Sequence, residues 1–152
     1  MDPTRTFLCS IMLAGGFSSP ALAALGGDAA SVEADRVSLK GALHVLASDS
    51  YAVHEIQTPA GVTVHEYLSA QGKVFAVSWR GPGIPDLRQM LGSYYGQLEQ
   101  AQATGVPHRD HHHLLVQTPE LVVQARGHTH AYSGRAWVPS LLPQNFSVSQ
   151  IN

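Results

Sequence analysis

A chain of 152 residues with a formal net charge of −2 and only 13% charged residues has neither the basic footprint of a nucleic-acid binder nor a polybasic patch for an anionic membrane surface. Its single cysteine, Cys9, falls in an N-terminal apolar run, so a chain processed beyond that point has no disulfide and no reactive thiol. Nine histidines against nine Lys plus Arg put forward pH response and metal contact as chemistries to weigh.

At the start of the chain, Arg5 stands in a short polar stretch, Phe7 to Phe17 form the apolar run, and Ser18-Ser19-Pro20 breaks it ahead of Ala21-Leu22-Ala23. A positive n-region, an h-region too short to span a bilayer and a small-x-small cleavage site predict a signal peptide over residues 1–23. Residues 24–152 are then expected to form one domain, in the periplasm or secreted, with no membrane span after cleavage. Gly15, Gly16 and Pro20 speak against a buried N-terminal helix. Ala24, standing where a lipoprotein has cysteine, speaks against a lipid anchor.

Residues 29–40 can form a short helix, although the apolar positions nearby follow no clean period. Between Tyr51 and Trp79, three runs rich in Val, Tyr, Phe and Trp are separated by Thr58-Pro59-Ala60-Gly61 and Ser69-Ala70-Gln71-Gly72, which predicts a three-stranded meander. Closing the first turn with two or four residues sets His54 opposite His65, Glu55 opposite Val64 and Val53 opposite Glu66. The second turn places Phe75 opposite Glu66 and Val77 opposite Val64. One face then gathers Tyr51, Val53, Glu55, Val62, Val64, Glu66, Leu68, Phe75, Val77 and Trp79 as the expected core face.

Asp86 reads as a helix N-cap with Gln89 as its capping-box partner. Leu87, Met90, Leu91, Tyr94, Tyr95 and Leu98 form one apolar stripe, to be laid on the sheet. Gly92 and Gly96 fall opposite that stripe and would weaken the helix. Residues 100–110 read as a polar loop. Strands are expected over residues 111–117, 120–126 and 128–138, with turns at Thr118-Pro119 and Arg126-Gly127. The expected class is α+β: an antiparallel sheet, made of the meander plus a C-terminal hairpin, packed against one amphipathic helix.

Taken together, Glu66-Tyr67, Gly72 to Trp79, Gly81-Pro82, Pro85-Asp86-Leu87, Leu91-Gly92, Gly127-His128, Gly134-Arg135-Ala136 and Val138-Pro139 resemble the exported proteobacterial family known as domain of unknown function 2844. The resemblance runs from Ala24-Leu25-Gly26-Gly27 to Leu142-Pro143. It implies no activity, cofactor or catalytic residue. The cluster from His108 to His113 does not belong to the family's pattern.

Two constellations carry possible chemistry. Glu55 and Glu66, read as diagonal neighbours about 7–8 Å apart on the core face, would raise each other's pKa in the manner of an acid/base pair. A solvent-open sheet, or pairing with Arg80 or Arg135, is the plainer reading. His128 and His130, two apart on an expected strand, would leave the same face, and His111 or His113 would add a further metal ligand. His54 and His65 would form a separate pair. No complete ligand set, nucleophile elbow or phosphate-cradling loop is present. No cofactor is expected, and the expected function is a non-enzymatic binding or accessory protein that holds another exported protein by its sheet or edge strands. A small enzyme using Glu55 and Glu66, or a histidine metal protein, is the alternative.

Overall fold

The computed structural model describes residues 25–48, 50–104, 108–110 and 113–152, and for residues 108–110 the backbone alone. The expected signal peptide and His111 lie outside the described residues. The fold is α+β, and its sheet is larger than the sequence reading expects. Eight antiparallel strands run in the order β1-β2-β3-β4-β8-β7-β6-β5. They are β1 (Ala42–Ala47), β2 (Tyr51–Gln57), β3 (Thr63–Ser69), β4 (Val74–Gly81), β5 (His108–Asp110), β6 (His113–Gln117), β7 (Val122–His128) and β8 (Ala131–Trp137). Two four-stranded meanders meet where β4 pairs with β8, and the helical connection after β4 carries the chain to the far edge.

Register departs from expectation because both turns close with three residues. Thr58 N–H donates to the Val62 carbonyl, and Gly61 takes φ +78°, the left-handed conformation that completes a type I turn and bulge. An odd loop turns β2 over relative to the expected register. Glu55 faces His65, His54 faces Glu66 and Val53 faces Tyr67. Gly72, at φ +73°, closes the second turn likewise. A bulge at Tyr67/Leu68 then sets Glu66 opposite Val77 and Val64 opposite Trp79. Phe75 is the residue that gains no partner in this register, and it turns to the other face.

One face packs Ile56, Val64, Val77, Trp79, Val123 and Ala136 against Val32, Met90, Leu91 and Leu98 from the helices. Helix α1 (Ala29–Ser38) is capped by Asp28, whose side chain accepts from Ala30 and Ser31 N–H. The expected single amphipathic helix is divided into α2 (Leu87–Leu91), a 3-10 turn (Gly92–Tyr94) and α3 (Tyr95–Ala103). Gly92, at φ +50°, makes the break. Asp86 does cap α2, accepting from Arg88 and Gln89 N–H, but the Gln89 side chain reaches to α1 and completes no capping box with Asp86.

On the opposite face, Val138 to Asn152 folds back over half the sheet. Phe146 meets Phe75 and Tyr51 edge-on, at centroid distances of 4.8 and 5.1 Å, an arrangement favoured by the ring quadrupoles. Tyr67, Trp137 and Ile151 complete this second core. The β7–β8 turn comes later than expected, at Thr129-His130. Among the described residues no helix is long and apolar enough to cross a membrane.

Candidate functional site

The glutamates that the sequence groups together are separated by the sheet. Glu55 faces the tail side, where its carboxylate meets His65 Nε2 at 2.9 Å and accepts from Gln57 at 2.8 Å. The His65 hydrogen bond, helped by Gln57, holds the Glu55 carboxyl below its ordinary range. Glu66 faces the helices and is 2% exposed. The diagonal pair on one core face is therefore corrected: with β2 turned over, the two side chains leave opposite faces.

Sequence reasoning missed the actual partner of Glu66, which is Asp35 on α1, itself 1% exposed. Asp35 Oδ2 and Glu66 Oε2 are buried without another hydrogen-bond partner among the described residues, and the two carboxyls satisfy each other once one of them is protonated. Gln89 Nε2 also donates to Asp35, and Ser38 Oγ donates to Gln89 Oε1 at 2.9 Å, which ties α1 to α2. Burial pushes Glu66 up to about 9, and the nearby Asp35 charge adds to the shift. Burial likewise raises Asp35 to about 6, while the hydrogen bonds from Gln89 and Glu66 hold it lower than burial alone would. Glu66 therefore keeps its proton at neutral pH and donates to Asp35. His54, opposite Glu66 in the register, has a buried Nδ1 without a partner among the described residues, and burial depresses its pKa. This cluster has the shifted acids of an active site, but Asp35 and Glu66 are sealed between helix and sheet, where no substrate reaches them.

Of the candidate metal ligands, His111 lies outside the described residues, and the other three fall on separate parts of the β6–β8 region. His128 ends β7 opposite Ala131, whereas His130 sits in the following turn at φ +66°. The expectation that both project from one strand is thus corrected. His113 opens β6 opposite Arg126. Among the described residues no three His, Cys, Asp or Glu side chains gather to hold a metal ion.

A candidate recognition feature is the sheet edge at β1. Ser48 N–H donates to the Tyr51 carbonyl at 2.9 Å. With the observed register, Leu46/Val53, His44/Glu55 and Ala42/Gln57 are therefore the hydrogen-bonded pairs. The N–H and C=O groups of Leu43, Val45 and Ala47 then point away from the sheet. Of the five exposed large hydrophobic residues among those described, Val45 and Leu46 lie on β1 and Val37 on the helix leading into it. From Gly41 to Ser48 there is no Lys, Arg, Asp, Glu or Pro, and the β1–β2 register runs without a bulge. The strand itself thus lacks the charge, proline and bulge by which edge strands are commonly protected. The sequence does carry a signal for β1, a six-residue run with five apolar residues and His44 between Gly41 and Ser48-Asp49-Ser50, but it is obscured by lack of alternation.

Comparison with known proteins adds a family without a function. No curated protein and no solved structure matches the chain. The model of the family described as "Protein of unknown function (DUF2844)" matches residues 21–151. With that match spanning nearly all of the sequence, and with the meander, helix cap and β8 segment in place where the motifs stand, the chain belongs to the DUF2844 family.

Proposed function

We propose that this chain is an exported, non-enzymatic binding protein that adds an extended segment of another exported polypeptide to β1. Residues 1–23 direct export and are removed near Ala23, leaving the domain in the periplasm or secreted. The observation that carries the binding reading is the uncharged, unprotected edge, with backbone groups of Leu43, Val45 and Ala47 turned outward beside exposed Val45 and Leu46. Strand addition to such an edge draws affinity from main-chain hydrogen bonds and specificity from alternate side chains. Because Gly41 to Ser48 has no charged side chain, the fitting segment is itself uncharged and apolar on alternate positions.

The enzymatic alternative loses its geometric premise, since Glu55 and Glu66 leave opposite faces and Glu66 is sealed. A photo-activated cross-linker placed at Val45, compared with one at Lys73, tests the proposal in the native envelope. A discrete adduct with a different exported polypeptide is expected from position 45 and not from 73, and a Leu43→Pro substitution should abolish it. An adduct of the chain with itself, or none, would overturn the proposal.

A further inference from the structure

Beyond the edge strand, the uncovered half of the tail-side face carries a concentration of positive charge. Register places Arg80 on β4 and Arg126 on β7 directly to either side of Ser133 on β8. At about 4.8 Å per strand, their Cα atoms stand about 10 Å apart. Arg135 lies two residues along β8 on the same face, about 7 Å from Ser133 by strand rise. The three arginines thus surround one serine, and all four residues line a single cleft of about 490 Å³.

Among the described residues these arginines have no acidic side-chain partner. No Asp or Glu side chain of the described residues lines the cleft, whereas Asn152, the last residue of the sequence, does. On the same face Glu55 lies three strands from Arg135, already held by His65 and Gln57. Arg135 is also pre-positioned. Its Nη1 donates to the Val148 and Ile151 carbonyls at 2.9 and 3.2 Å, and its Nε donates to Gln124 at 2.9 Å. That leaves the two Nη2 protons of its five donors. Arg126 Nε reaches Ser133 Oγ at 3.4 Å. Three guanidinium groups brought together at a net charge of −2 repel one another unless an anion lies among them.

We infer that the cleft around Ser133 binds a phosphate- or sulfate-type oxyanion, with Arg80, Arg126 and Arg135 as its charged donors and Ser133 at its floor. Planar guanidinium forks suit such a group. Leu115 on the cleft wall, an exposed hydrophobic residue, offers apolar contact to an organic substituent.

Calorimetric titration of the folded protein with inorganic phosphate and with phenyl phosphate at low salt tests this. Saturable binding is expected, weakening on the order of tenfold in each of Arg80→Gln and Arg126→Gln and weakening with added sodium chloride. Both arginines are exposed, and an unchanged circular dichroism spectrum shows that the variants remain folded. Lys73→Gln, which removes the same charge elsewhere, is expected to leave binding unchanged. Tighter binding of phenyl phosphate identifies an ester as the ligand, and equal binding identifies the free ion. No saturable binding, or equal weakening by Lys73→Gln, would overturn the inference.

Discussion

At the scale of single residues, the buried carboxyl pair governs how stability responds to pH. Glu66 and Asp35 titrate at about 9 and about 6 in the fold, against ordinary values of 4.5 and 3.8. The folded chain therefore binds more protons than the unfolded chain between those limits, and its stability falls as pH rises. This contribution is fully present below about pH 4 and is lost as pH climbs through about 6 and then about 9. His54, depressed by burial, acts in the opposite sense and removes stability as pH falls through the ordinary histidine range. Glu66→Gln keeps a donor toward Asp35 and removes the upper titration. Its urea midpoint should exceed the unsubstituted protein's at about pH 9 and approach it near about pH 5. A parallel fall of both midpoints across that range would contradict the shared-proton reading.

Two further residues test the packing. Phe75 is fully buried against the tail, so Phe75→Ala should cost about 3–5 kcal/mol and render residues 146–152 sensitive to protease. An unchanged midpoint in urea would refute that placement. Gly134 lies opposite Trp79, and an added Cβ would fall within the indole ring. Gly134→Ala should therefore cost about 1–3 kcal/mol by overpacking, read as a lowered thermal midpoint. The motif Gly134-Arg135-Ala136 thus combines a glycine for the core, an arginine for the tail and an alanine buried beneath the helices.

At the scale of elements, one residue in a turn decided which side chains meet. The sequence reveals β2 to β4 through their apolar runs, the α1 helix, the Asp86 cap and β6 to β8, but not β1. It does not reveal whether Thr58 to Gly61 closes with two, three or four residues, and β2 turns over with that parity. Glu55 and Glu66 were consequently assigned to one face, and Asp35, 31 positions away in sequence from Glu66, could not be found by local pattern. Nor was the arginine cleft legible, since it depends on the β4–β8 pairing between distant segments. Gly61→Ala should cost about 1 kcal/mol because φ +78° is strained for a side-chain-bearing residue. Chemical denaturation checks this, and no loss would mean the turn has relaxed into another type. Gly92 shows the limit of periodicity in another way: the apolar stripe was visible, whereas the positive φ that divides the helix was not.

At the scale of the whole molecule, the described residues form two meanders in one sheet, with helices on one face, a tail over half of the other, and β1 at an edge that no described strand pairs. Asp35 and Glu66, the acids shifted upward by burial, are enclosed, while the groups available to a partner are backbone, apolar side chains and arginines. Amide hydrogen exchange measured residue by residue on the dilute protein tests the binding account most directly. The account predicts fast exchange at Leu43, Val45 and Ala47 and slow exchange at His44 and Leu46, with the fast set becoming protected once a partner strand is bound. Protection of Leu43, Val45 and Ala47 equal to that of His44 and Leu46 in the isolated protein would mean that the edge is already covered, and would contradict it.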